Sequence, residues 1–197
     1  MPRKILAKPE RKIADDIVEK IKSGTVLDLG AGTGYLSIEL AKSSANLQIY
    51  GIDLSPKMVE IARNHAKGIE NVHFEFGDAA KLLFEDNLID FIVSTGSLHH
   101  WKEPIKVFEE CYRVLKNGKE AWIYDGCPAA VKAEADKIRK EYKFLVYKVL
   151  TKITELHGFT KEEYESRIKD ILKQTRFRDC YRMELKDLWI KINRRKI

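Results

Sequence analysis

The sequence predicts an α/β fold: a doubly wound, seven-stranded, mainly parallel sheet with an antiparallel terminal strand and a helical lid. Three observations point to it. Five short apolar runs alternate with helical patterns through residue 126, as strands covered by helices on both faces do. Three glycines at alternate positions, Gly30, Gly32 and Gly34, stand where the first run gives way to a helix. Two strand-like runs close the chain, separated by Lys186-Asp187, the spacing of a hairpin.

Residues 9–22 place Ile13, Ile17, Val18 and Ile21 at helical spacing, and Ser23-Gly24 ends that helix. "TVLDLG" reads as a buried strand, followed by a helix over Thr33–Lys42 with Leu36, Leu40 and Ala41 inward. "LQIYGID" is the second strand. Ser55 and Pro56 then open a helix, serine as cap and proline at its first position. "VHFEFGD" and "LIDFIVST" are the third and fourth strands. "EPIKVFEECYRVLKN" is an amphipathic helix with Ile105, Phe108, Val114 and Leu115 as core, and Asn117-Gly118 turns into a fifth strand, "EAWIYDG".

The pattern changes after Pro128. A long helical stretch runs from Ala129 to Leu156 and breaks at His157-Gly158. Thr160 and Glu163 form a capping box, with Phe159 and Tyr164 as a hydrophobic staple, for a helix reaching Gln174. "CYRMEL" and "LWIKINR" are the closing strands. Neither repeat nor low-complexity linker appears, so residues 1–197 are expected to form one domain. Its parts are an alternating strand-and-helix core at 1–126, a helical region at 129–176 and a terminal hairpin at 180–195.

With 44% apolar and 34% charged residues the 197-residue chain is a globular one. Its apolar stretches fall short of the roughly 20 residues that span a bilayer. The basic N-terminus is followed by no apolar signal region, so a soluble, cytoplasmic protein is expected. Cys111, Cys127 and Cys180 are widely spaced with no Cys-x-x-Cys or Cys/His cluster, so reduced thiols and no metal are expected. The net charge of +6 is uneven: residues 1–128 hold 17 Lys+Arg against 19 Asp+Glu, and residues 129–197 hold 19 against 11. That basic third reads as a solvated helical surface, with an anionic partner such as nucleic acid as the alternative.

Glycines at a strand-to-helix turn let backbone approach a ligand, and the helix start favours negative charge. A phosphate loop would end in Gly-Lys-Ser/Thr, whereas this one continues Gly34-Tyr35-Leu36. A dinucleotide fingerprint needs G-x-G-x-x-G, and here the third glycine arrives one residue early. Carboxylates decide between the remaining options. Asp53 ends the second strand 19 residues beyond Gly34, where it can accept from a ribose diol. Asp78 ends the third strand within reach of a base edge, and Asp28 precedes the loop. Three acids at successive strand ends suit a nucleoside carrying a cation and discourage a pyrophosphate; each could instead merely cap the turn that follows it.

"VLDLGAGTGYLSIELA", "IYGIDLSPKMVEIAR", "VHFEFGDAAKLLF" and "RVLKNGKEAWI" resemble the successive motifs of class I S-adenosylmethionine-dependent methyltransferases. The similarity is greatest to the branch holding ubiquinone/menaquinone C-methyltransferases and many small-molecule methyltransferases. It covers about residues 9–126, and the terminal hairpin fits the last two strands of that Rossmann-like fold; the resemblance implies a cofactor-binding core at 1–126 and makes 129–176 a helical lid and substrate region. The resemblance implies that Gly30, Ala31, Gly32 and Gly34 line the methionine part of S-adenosylmethionine, with Asp28 near its ammonium. It implies Asp53 on the ribose, Leu54 and Met58 against the adenine, and Asp78 with the Ala79 N–H on the adenine edge. Ser94 and Thr95 would lie beneath the methionine and sulfonium. One departure is "LKNGK" where the family usually has "LKPGG", and an Asn-Gly turn does the same structural work.

Methyl transfer from a sulfonium is an in-line displacement that needs mainly alignment, and a base only if the acceptor loses a proton. His99 and His100 in "STGSLHHW" are the candidate bases, set against a structural role in the pocket wall. Asp125 and Tyr124, closing the fifth strand, are candidate acceptor contacts, as are Tyr142, Phe144, Leu145, Tyr147 and Val149 of the lid stretch. The activity expected is methylation of a small molecule, yielding S-adenosylhomocysteine. Methylation of RNA is the alternative, weakened because residues 94–97 read Ser-Thr-Gly-Ser and lack the Asp/Asn-Pro-Pro-aromatic signature. Two other classes stay open: a non-catalytic cofactor-binding partner or sensor, and a nicotinamide oxidoreductase disfavoured by the glycine spacing.

Overall fold

Strands buried on both faces dictate the architecture, because Val26, Leu27 and Leu29 and then Ile92 and Val93 leave no polar side to face water. A computed structural model describes residues 3–133, 135–142, 147–148, 151–152, 155, 160–178, 180–186 and 189–197. The chain forms α1 (Arg3–Lys20), β1 (Gly24–Leu29), α2 (Tyr35–Ser43), β2 (Leu47–Asp53), α3 (Pro56–His65), β3 (Val72–Phe76) and β4 (Ile89–Thr95). It continues with α4 (Pro104–Val114), β5 (Leu115–Gly126), α5 (Pro128–Ala133) and α6 (Ala135–Tyr142). A helix over 161–173, α7, carries a π-turn at Tyr164–Ile168, and β6 (Tyr181–Lys186) and β7 (Trp189–Arg195) complete the fold.

The seven strands form one sheet in the order β3-β2-β1-β4-β5-β7-β6. β1 to β5 pair in parallel, and β7 runs antiparallel between β5 and β6. The order reverses between β1 and β4, a switch point that opens a crevice at the carboxyl ends of the strands. One face is covered by α1, α2 and α3 through Ile17, Leu40 and Ala62. The other is covered by α4 and α7 through Phe108, Cys111, Ile168 and Leu172.

Several boundaries differ from the sequence reading. α1 starts at Arg3 and runs through Pro9, whose missing N–H costs the helix one hydrogen bond. β5 begins at Leu115, so Asn117-Gly118 lies inside the strand. Leu115 pairs Ile89, the register then shifts before Phe91, and Gly118 takes up the irregularity at φ +75°. Ile105 is only half-buried, and Val107 and Cys111 take the core positions of α4 instead.

The Thr160 capping box forms, with Glu163 N–H donating to Thr160 Oγ1 at 3.1 Å and Thr160 N–H to Glu163 Oε2 at 2.8 Å. Its expected staple falls outside the described residues at Phe159, as do the His157-Gly158 break and the expected lid contacts Phe144, Leu145 and Val149. Part of the expected lid stretch belongs to the core: Ile168 and Leu172 are buried on the α4 side, beside Phe177, because α7 presents an apolar stripe to it. Both closing strands lie one residue later than read, with Lys186 pairing Trp189. Cys111 and Cys127 are buried and Cys180 is half-buried, all as free thiols. Among the described residues no helix is long and apolar enough to cross a membrane.

Candidate functional site

At the switch point, the carboxyl ends of β1 to β4 and the facing end of α1 enclose a cleft of about 460 Å³. That volume falls in the range of sites for small organic ligands. Its floor is the glycine turn. Gly30 and Ala31 N–H groups both donate to Ile52 O at 2.9 Å, tying the turn to β2. Gly32 lies at φ +55°, and a Cβ there would meet no protein atom within 4 Å, so bare backbone faces the cleft. Gly34 serves packing instead. It precedes α2 at φ +78°, and a Cβ there would stand 2.5 Å from the Phe74 ring and 3.0 Å from Ala62. It lies outside the cleft wall.

Asp53 lines the cleft and pins the turn. Its Oδ2 accepts the Gly32 N–H and its Oδ1 the Ser55 N–H, each at 2.8 Å. A carboxylate offers about four lone-pair positions, so two remain for a diol. Leu54, Asp78 and Ala79 continue the wall; Leu54 and Asp78 are exposed, and Asp78 Oδ1 accepts the Ala80 N–H at 2.9 Å. Met58 lies off the wall on α3, where its N–H donates to the Ser55 cap.

Asp28 is fully buried behind the turn and outside the wall. Its Oδ2 accepts from Ser37 Oγ at 2.6 Å, whereas Oδ1 has no hydrogen-bond partner among the described residues. Burial pushes its carboxyl up to about 7, against the Ser37 bond and with the Asp53 charge adding. Facing it is Glu10 of α1, in the cleft wall, pushed up to about 8 by burial and by the Asp28 and Glu39 carboxylates. Sequence reading missed Glu10. The available signal was its spacing, since residue 10 shares a helical stripe with Ile13, Ala14 and Ile17, all buried.

The turn after β4 forms the far wall. Ser94 is buried, donating to Leu29 O at 2.8 Å and paired with Ser97 Oγ at 2.6 Å, so it braces the wall from behind. Ser97 also accepts from Trp101 Nε1 at 3.1 Å. Thr95, Ser97, His100 and Trp101 line the cleft. His99 does not, because Asp125 draws it aside: His99 Nδ1 lies 2.8 Å from Asp125 Oδ1, and its backbone N–H donates to Oδ2 at 2.8 Å. The His99 and His100 rings sit 3.9 Å apart, joining this pair to the cleft wall. Asp125 and Tyr124 are buried and lie off the cleft wall.

The residues present fit a nucleoside with a cationic tail. Acids Glu10, Asp53 and Asp78 line the cleft, a buried carboxylate oxygen lacks a partner behind it, and the Gly32 backbone leaves room where a side chain would intrude.

Residues 20–176 match the family model described as a methyltransferase domain. The chain is 33% identical over 132 residues to demethylmenaquinone methyltransferase of Thermotoga maritima, covering 67% of this chain and 56% of the relative. It is 41% identical over 102 residues to the uncharacterised methyltransferase YcgJ of Bacillus subtilis, covering 51% of this chain and 40% of the relative. It thus spans about half the length of the curated relatives it matches. A crystal structure from Methanococcus maripaludis, provisionally described as an S-adenosyl-L-methionine-dependent methyltransferase, superposes with TM-score 0.78 at 27% identity. That match covers 98% of this chain and 87% of the other.

Proposed function

Since the chain belongs to the methyltransferase domain family, we propose that it is an enzyme that transfers a methyl group from S-adenosylmethionine to a small-molecule acceptor. The observation that carries this is Asp53, tied to the Gly32 N–H yet keeping two acceptor positions in the cleft. S-adenosylmethionine, when bound, supplies an electrophilic methyl on sulfur. Gly30, Ala31 and Gly32 would hold its amino-acid end by backbone, Asp53 its ribose hydroxyls, and Asp78 with Ala79 its adenine edge against Leu54. Thr95 and His100 stand where the acceptor would approach. Relatives named for demethylmenaquinone and for a phytyl hydroquinone support a small organic acceptor.

The chain's chemical work is to align the acceptor at about 3–3.5 Å from the methyl carbon and to exclude water. Where the acceptor must lose a proton, His100 in the cleft wall takes it and passes it to His99, whose ring sits 3.9 Å away. Asp125 accepts from Nδ1 and so makes Nε2 the basic nitrogen, the arrangement that fixes a catalytic imidazole. The reading includes a single domain with a helical lid and substrate region within 129–176, and a cytoplasmic location.

Calorimetric titration with S-adenosylhomocysteine, with NAD as control, tests the assignment. Saturable micromolar binding of the former alone is expected. Binding of NAD alone, or of neither by folded protein, overturns it.

A further inference from the structure

Residues 77–88 join β3 to β4, and Asp78, Ala79 and Ala80 of that segment line the cleft without a neighbouring strand to hold them. At its start Gly77 N–H donates to Asp53 O at 3.1 Å, and Lys81 N–H closes a turn onto Asp78 O at 2.9 Å. From Leu82 onward the backbone is gripped by two side chains of α4. Leu82 N–H donates to Glu110 Oε2 at 2.8 Å, and Leu82 O accepts from Arg113 Nη2 at 2.9 Å. Arg113 Nη1 reaches Phe84 O and Asp86 Oδ1, each at 2.8 Å. The guanidinium is itself fixed, with Nε donating to Glu110 Oε1 and Nη2 to Oε2, both at 2.8 Å. An acceptor and a donor set on one residue's backbone do for this loop what a partner strand does in a ladder. The Arg113 and Glu110 side chains are only 25% and 21% exposed, so this forked, charge-assisted contact is largely withdrawn from water.

We propose that Glu110 and Arg113 are positioning residues for base selection: their grip on Leu82 and Phe84 sets the Asp78–Ala80 turn so that it tells an amino group from a carbonyl oxygen on the cofactor's base. The proposal rests on the cofactor reading above and names the groups on which its base recognition depends. Asp78 Oδ1 is bound within the turn to the Ala80 N–H at 2.9 Å, so the placement of the turn decides where the other carboxylate oxygen stands. The turn ends at Lys81, and Leu82 is the next residue. A slack Leu82 therefore shifts the carboxylate directly, and a hydrogen bond fails within a shift of about 1 Å. Neither α4 side chain lines the cleft, so both act through the loop.

Titrating the full chain with S-adenosylhomocysteine and with S-inosylhomocysteine tests this, since the second carries a carbonyl oxygen in place of the 6-amino group. The parent should prefer the adenosyl ligand about 30-fold, the worth of one hydrogen bond to a charged group. R113M and E110A should each bring that ratio down to about threefold. Partial unfolding or general loosening weakens both ligands alike and leaves the ratio in place, so the ratio isolates the positioning role. A parent that binds both ligands equally overturns the proposal while leaving the cofactor standing. An undiminished ratio in both R113M and E110A overturns it as well. Should neither variant fold, amide hydrogen exchange in the parent decides. Leu82 N–H should exchange about tenfold slower with S-adenosylhomocysteine than with S-inosylhomocysteine at equal saturation, and equal exchange overturns the proposal. Binding of neither ligand by the folded parent overturns the cofactor reading and this one with it.

Discussion

Replacing Asp53 by alanine should cost cofactor affinity in a way that separates two jobs of one side chain. The carboxylate holds the Gly32 and Ser55 N–H groups at 2.8 Å each and offers its remaining lone pairs to a diol. A hydrogen bond to a charged group contributes about 1.5–3 kcal/mol, and water entering the mutant pocket recovers part of two such bonds. A net loss of about 2–3 kcal/mol, or roughly 30- to 150-fold in Kd for S-adenosylhomocysteine, follows. Loosening of the turn would weaken every ligand alike, so the same titration with the 2′-deoxy analogue completes a double-mutant cycle. The deoxy analogue should bind the parent more weakly and lose distinctly less on mutation. An Asp53→Ala variant that binds as tightly as the parent refutes the ribose assignment. Equal losses for both ligands would show that Asp53 acts only through the turn.

The two glycines should fail differently. Gly34→Ala forces a left-handed residue and a contact with Phe74, about 1–2 kcal/mol and 1–3 kcal/mol respectively, lowering Tm by roughly 5–15 °C. Gly32→Ala should cost less stability but abolish measurable S-adenosylhomocysteine binding, and the opposite pattern in thermal melts and titrations would reverse their roles. Once an acceptor is found that must be deprotonated, Asp125→Asn should lower kcat about 10²-fold or more and leave S-adenosylhomocysteine affinity unchanged; full turnover would exclude the His99 pair from proton transfer. Ligand-free stability should fall as pH rises from 5 to 8. Unfolded carboxyls ionise near 4, while folded Asp28 and Glu10 hold protons up to about 7 and 8, so the folded state binds more protons across that window and loses the advantage as it rises. Asp28→Asn should flatten the pH dependence of Tm, and an unchanged slope would remove Asp28 as its source.

What the sequence disclosed follows from how local each signal is. β2 was legible to the residue, because "LQIYGID" is bounded by a polar turn and by the Ser55 cap, which forms as expected. The glycine turn and Asp53 were legible together because both sit at fixed offsets from strand ends. The distinct roles of Gly32 and Gly34 were not, since only the approach of Phe74 from β3 makes Gly34 a packing residue. His99 and His100 are adjacent in sequence and looked equivalent. They differ because β5 brings Asp125 to His99 across 26 positions of chain, and no local pattern carries that pairing.

Glu10 is the instructive case, because its signal was present in a form easily discounted. Along α1 and just past its end, positions 10, 13, 14, 17 and 21 fall on one stripe, and the last four are buried apolar residues in the core cluster that also holds Leu40 of α2 and Val26 of β1. A carboxylate at the head of such a stripe either faces solvent beyond the core or points into whatever the core borders. The buried stripe of α1 packs on α2, and α2 starts at the glycine turn, so the border here is the ligand cleft. An acid continuing an apolar stripe toward a glycine-rich strand end therefore marks a charged wall of the site rather than a solvated helix start. Ile13 and Ile17, by anchoring the helix, hold that charge in place before any ligand arrives.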